Sequence, residues 1–275
     1  MRTATFLGLV VPFVIGTSPP ACQAQERHAQ NEPKALLEGL AAARKTQEDY
    51  GKLQRELVQK ASAAPSDEDR QSAERSLNEA ERDFLNQKRE AARRLLDLVQ
   101  THPAEPAAID ALVWVASHAP RGSDREVAMD TLIRDHLDSE KLGCSVCESL
   151  AYARRENDLR QLMESSPHVI VRAFACYELA GYLKKQVETN PAGRERLEAQ
   201  IEALFEQVAD SYADVEHPFW KRPLGDLASA ELFEIRHLIV GKMAPEIEGD
   251  DMEGHRLKLS DYRGKAVLLE FWAFW

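Results

Sequence analysis

The sequence predicts a mainly α protein that turns to strand patterns only in its final segment, residues 241–275. Three observations carry this. Apolar residues recur at helical spacing through most of residues 26–240. A Pro/Ser break at 63–66 separates two long amphipathic stretches. Residues 264–275, GKAVLLEFWAFW, form a near-continuous apolar run with the pattern of a strand covered on both faces. A length of 275 residues with 44% hydrophobic composition suffices for one large or two modest domains. The expected division is a leader at 1–24, a long helical hairpin at 25–101, shorter helical pairs at 102–240, and the strand-forming segment at 241–275.

The first 24 residues read as a secretory signal peptide. Arg2 is a minimal positive region, Phe6 to Ile15 an apolar core, and small and turn-forming residues lead to Gln25. The apolar core is too short to span a bilayer, and no other apolar stretch approaches that length. Cleavage after Ala24 gives an exported soluble protein. Alternatively Cys22 is a lipid attachment site and a membrane tether, although Pro19 and Pro20 replace the Leu and small residue usual in that motif. The formal net charge of -11 argues against nucleic acid as a partner, because phosphate binding is driven by Lys and Arg.

The first amphipathic stretch runs from Pro33 to about Ser62, with Leu36, Leu40, Ala43, Tyr50, Leu53 and Leu57 on one stripe. Ser66, followed three residues later by Asp69, caps a second helix that runs to about Thr101 through Leu77, Ala80, Phe84, Ala91, Leu95 and Leu98. Two long antiparallel helices are the simplest arrangement. After Pro103 the helices shorten, and LLDLVQTHP at 95–103 is matched by LRQLMESSP at 159–167. This spacing resembles stacked two-helix repeats of the tetratricopeptide kind, without their diagnostic aromatic and glycine positions. Pro218 to Pro223 reads as a loop, and Leu227 to Val240 as a last helix.

The cysteines are Cys22, Cys144, Cys147 and Cys176. The spacing Cys144-Ser-Val-Cys147 is that of a dithiol redox pair, which works when its first Cys sits at a helix N-terminus; Gly143 could begin such a helix, through Ala151. Against this, no apolar strand precedes the pair and no Trp flanks it, so two thiols packed on a short helix, or a structural disulfide, are the competing readings. A zinc site wants a second ligand pair, and none stands at metal spacing. Cys176 on an apolar helix reads as core. The eight histidines are scattered, and nearly all read as surface or capping residues. No nucleophile elbow, phosphate loop or dinucleotide fingerprint appears, and no cofactor or metal is expected. The acidic stretch 246–254 lacks calcium-loop spacing and reads as a polar hairpin.

The final segment names a chemistry. Ala244-Pro-Glu-Ile247, Asp251-x-x-Gly254, Leu259-Ser-Asp-Tyr-Arg-Gly-Lys265 and Leu268-Leu-Glu-Phe-Trp-Ala-x-Trp275 follow one another in an order that resembles the opening of the thioredoxin-like redoxins, the superfamily of TlpA-type disulfide reductases and peroxiredoxins. The resemblance covers about the last 35 residues and departs at Phe274. It implies the first strands of an α/β thioredoxin-like domain, a thiol or protein-disulfide substrate, and a Cys-x-x-Cys pair in the next positions. On this reading the sequence is truncated just before its dithiol, and the chain as written is expected to be inactive. Trp272 and Trp275 match aromatics that flank the dithiol in that family. Glu270 matches the acid beneath it that serves in proton transfer. A carboxylate buried in an apolar strand has its pKa raised; the alternative is a Glu270 that faces solvent at a strand edge.

Overall fold

The computed structural model describes residues 20–189 and 194–273, with side chains described from residue 34. Residues 1–19 of the expected leader, the side chain of Cys22, and Trp275 lie outside the described residues. The chain forms two compact units, one ending at Leu132 and the other beginning at Ile133.

The first unit is built on a long hairpin. Helix α1 spans Pro20–Ser62 and helix α2 spans Asp67–Thr101. The break and the cap fall where the sequence places them. Ser66 is extended (φ -135°, ψ 161°), and its Oγ accepts from the Asp69 N–H at 3.2 Å. Asp67, Glu68 and Asp69 then put negative charge at the positive end of the helix. Leu36, Leu40 and Ala43 of α1 and Ala92, Leu95, Leu96 and Val99 of α2 are buried at the seam. Each fully buried leucine there is worth about 1.5–3 kcal/mol. Gly39 lets the helices approach, since a Cβ in its place would lie 3.2 Å from Leu95. Further along, Tyr50 and Phe84 stack at 3.9 Å with planes 5° apart. Helix α3 (Pro106–His118) packs on both α1 and α2 and buries seven residues from Ala107 to Ala116, which explains its nearly unbroken apolar sequence. Helix α4 (Ser123–Asp135) follows.

The second unit is organised around α7 (Val169–Thr189). A 3-10 turn at Glu140–Leu142 leads into α5 (Cys144–Tyr152) and α6 (Glu156–Ser165), both packed on α7. Helix α8 (Arg194–Ser211) covers another side of α7, and α9 (Leu224–His237) packs on α8. Val171, Ala173, Phe174, Ala175, Cys176, Leu179, Ala180 and Leu183 of α7 are buried. This burial on several sides suits a helix whose apolar residues do not keep to one stripe. Lys184 ties α7 to α9 through Glu231 and Glu234, each at 2.8 Å. Helix α9 begins three residues before the expected Leu227, because the extended backbone at Pro223 (φ -60°, ψ 142°) already sets its first turn.

Beyond α9 come two short antiparallel strands, β1 (Glu248–Asp250) and β2 (Arg256–Lys258), paired Glu248–Lys258, Gly249–Leu257 and Asp250–Arg256. Asp251 holds the connecting turn by accepting from the Glu253 and His255 N–H groups at 2.9 and 2.8 Å. The polar hairpin expected at 246–254 is thus present, with its strands extended to Lys258. The buried strand expected across 264–275 is not: residues 264–273 join no sheet and are exposed. The reason is physical. An edge of two three-residue strands offers too little ladder and no second layer to hold a third.

Candidate functional site

Of the residues singled out in the sequence, Cys144 and Cys147 sit in the most developed surroundings. Gly143 (φ -67°, ψ -138°) precedes α5 as its cap residue, so Cys144 occupies the first helical position and Cys147 lies one turn on. The Cys147 N–H closes that turn on the Gly143 carbonyl at 3.0 Å. The two thiols are free and differ in access, Cys144 being part-exposed and Cys147 buried. Cys147 Sγ donates to the Leu142 carbonyl at 3.2 Å and lies 4.0 Å from that of Val171. Cys144 Sγ lies 3.6 Å from His217 Nε2, a contact between residues 73 apart in the chain.

His217 is held from several directions. Its Nδ1 accepts from the backbone N–H groups of Phe219 and Trp220 at 3.3 and 3.4 Å. That network places the proton of the neutral ring on Nε2, facing the sulfur. Trp220 stacks on the ring at 4.2 Å, and Phe174 meets it edge-on at 5.7 Å. The supporting loop is closed by His217 N donating to Arg222 O at 2.8 Å and Leu224 N donating to Val215 O at 2.8 Å. His217 is 6% exposed, so it is not a surface residue, while its Nδ1 caps the backbone N–H groups of the turn that follows it.

The electrostatics keep this cluster neutral. Burial pushes the Cys144 thiol up from 9.0 to about 12, with Glu178 and Glu148 adding repulsion to any thiolate. A helix N-terminus works the other way, but is worth only about 2 kcal/mol at best, roughly one and a half pKa units. Burial and the two carboxylates therefore win. Cys147 is pushed well up by the same causes, burial first and Glu178 second. Burial raises Glu178 itself to about 7, reinforced by Glu148 and opposed by Lys185. Burial lowers the His217 pKa, and Glu148 opposes that shift. Near neutral pH the pair is thus a thiol against an imidazole, not a thiolate–imidazolium ion pair. Cys176 is buried in the core as expected, its Sγ donating to Leu204 O at 3.4 Å, with burial raising its pKa to about 12.

The residues implied by the redoxin resemblance are placed differently. Glu270 and Trp272 are exposed and lie in no strand. None of the four cysteines falls within 241–275. Asp251, Glu253 and His255 bring their ligand atoms within 4.8 Å of one another at the exposed hairpin turn, where Asp251 is already committed to backbone N–H groups.

No family model and no solved structure matches the chain. A stretch of 36 residues, 13% of this chain, is 53% identical to the thiol-disulfide oxidoreductase ResA of Geobacillus kaustophilus. Over the same length it is 50% identical to ResA of Geobacillus thermodenitrificans and 44% identical to ResA of Bacillus cereus. The chain spans about a fifth, 21%, of the length of these curated relatives. The similarity to thiol-disulfide oxidoreductases is therefore short, confined to these 36 residues.

Proposed function

We propose that the protein carrying this chain is an exported thiol-disulfide exchange protein, with a helical body in front of the opening of a redoxin domain. The observation that carries this reading is the 36-residue similarity to ResA, at up to 53% identity. The reaction is attack of a thiolate on a disulfide, formation of a mixed disulfide, and its release by a second thiol. Its substrates are thiols or disulfides of proteins. Residues 241–275 supply the framework, with Trp272 and Trp275 flanking the reacting sulfurs and Glu270 in proton transfer once the sheet around it is complete. The signal at 1–24 exports the protein, and Cys22 is its alternative point of tethering.

Residues 1–275 alone are expected to show no reduction of insulin in the presence of dithiothreitol. The thiols at 144, 147 and 176 have pKa values raised by burial, and the last two are buried. The product of the whole reading frame is expected to reduce insulin. If that full product is folded and inert towards insulin, the exchange reading fails. A second reading, a helical scaffold for a protein or peptide partner, is favoured by the exposed aromatics Phe219 and Trp220 beside α9; retention of partner binding by an inert full product would support it.

A further inference from the structure

The Cys144–Cys147 pair has the helical spacing of a dithiol, away from the redoxin-like segment. Residues three apart in an α-helix place their Cα atoms about 5 Å apart. That lies within the roughly 4.4–6.8 Å over which a disulfide closes without backbone movement. One sulfur is reachable and the other is shielded. Such asymmetry divides the labour of exchange, since the open thiol meets the incoming disulfide and the shielded one resolves it. His217 Nε2–H, 3.6 Å from Cys144 Sγ, is a donor to negative charge developing on that sulfur. Cys147 Sγ makes only weak S–H donations, to the Leu142 and Val171 carbonyls, so its hydrogen bonds cost little to exchange for a bond to Cys144.

We propose that Cys144 and Cys147 form a redox-active dithiol that closes to an intrahelical disulfide by exchange with a small-molecule disulfide of the glutathione class. Cys144 sulfur attacks one sulfur of the small disulfide, forms a mixed disulfide, and expels the first small thiol. Cys147 sulfur then attacks Cys144 sulfur and expels the second. The dithiol is oxidised, the small disulfide is reduced to two thiols, and the two protons lost by the cysteines end on those thiols. Burial and Glu178 hold both cysteines in the protonated form, with Glu148 adding to the effect on Cys144, so no thiolate is stabilised in the reduced state. The pair is therefore a reductant rather than an oxidant, and a slow one. Linkage mapping with glutathione disulfide and insulin reduction are separate readouts, so the failure of this proposal and that of the exchange function stay separable.

The test uses the native full chain at pH 8 with glutathione disulfide. Remaining thiols are blocked with N-ethylmaleimide, and the sites are mapped by peptide mass spectrometry without reduction. A Cys144–Cys147 linkage forming over hours, with Cys176 still a thiol, is the expected result. The C147S variant is expected to stop at a glutathione adduct on Cys144. The proposal is overturned if both cysteines stay thiols in protein shown to be folded by circular dichroism, if wild type keeps an unresolved adduct on Cys144, or if the linkage forms only in urea. Wild-type mapping decides the matter even where C147S does not fold.

Discussion

Replacing Glu178 with glutamine removes one ionisable group from the surroundings of the two thiols while keeping the shape of the side chain. Burial raises this carboxyl from 4.5 to about 7, so the folded chain keeps the proton through a range in which the unfolded chain has lost it. Stability changes with pH as the difference in bound protons, and here the folded state binds more. The contribution of Glu178 to stability therefore falls as pH rises from 4.5 to about 7, with no loss below that window and the whole loss present above it. At 1.36 kcal/mol per unit, the shift corresponds to about 3 kcal/mol at most; entry of water around the carboxylate brings the expected loss to about 1–3 kcal/mol. E178Q carries no such titration. Urea unfolding of both proteins, followed by circular dichroism at pH 4.5, 5.5, 6.5 and 7.5, gives the comparison. His217, whose pKa burial lowers, works in the opposite sense by costing stability as pH falls, but it is present in both proteins and cancels in the difference. The variant is expected to gain on wild type by about 1–3 kcal/mol across the window. A difference that stays constant from pH 4.5 to 7.5 would refute the reasoning.

Two further substitutions probe the framework. At Gly225 a Cβ would lie 2.8 Å from Ala213 Cβ and 2.9 Å from its Cα, so G225A has to shift backbone and is expected to cost about 1–3 kcal/mol, read as a lowered urea midpoint at unchanged slope. S66A removes the acceptor for the Asp69 N–H and is expected to destabilise α2 by about 1 kcal/mol, read as a lowered urea midpoint; an unchanged midpoint would argue that the side-chain bond contributes nothing.

Much of the helical frame was legible because local signals decide it. The break at 63–66 and the Ser66 cap depend on residues within a few positions of one another, and the apolar stripes of α1 and α2 face each other across that short turn. The start of α5 at Cys144 could likewise be read from Gly143. What could not be read was the company that Cys144 keeps. His217 comes from a loop 73 residues later, and Glu178 from a helix whose apolar residues do not mark which side faces the thiols. The His-Pro-Phe-Trp sequence at 217–220 hints at a histidine among aromatics, but nothing local says which element they cover. The terminal run misled in the other direction. Its apolar pattern fits a buried strand, yet burial needs a second layer, which the pattern cannot provide by itself.

The distance along the chain between Cys144 and His217 also sets an order of events during synthesis. At about 5–20 residues per second, the 73 residues between them take about 4–15 s to emerge. Over that interval Cys144 and Cys147 have been made while the loop that will stack on them has not, and α7, which supplies Glu178 and closes over Cys147, arrives only partway through. The thiols are therefore least covered while the chain is being made, and only Cys144 keeps part of that exposure after folding.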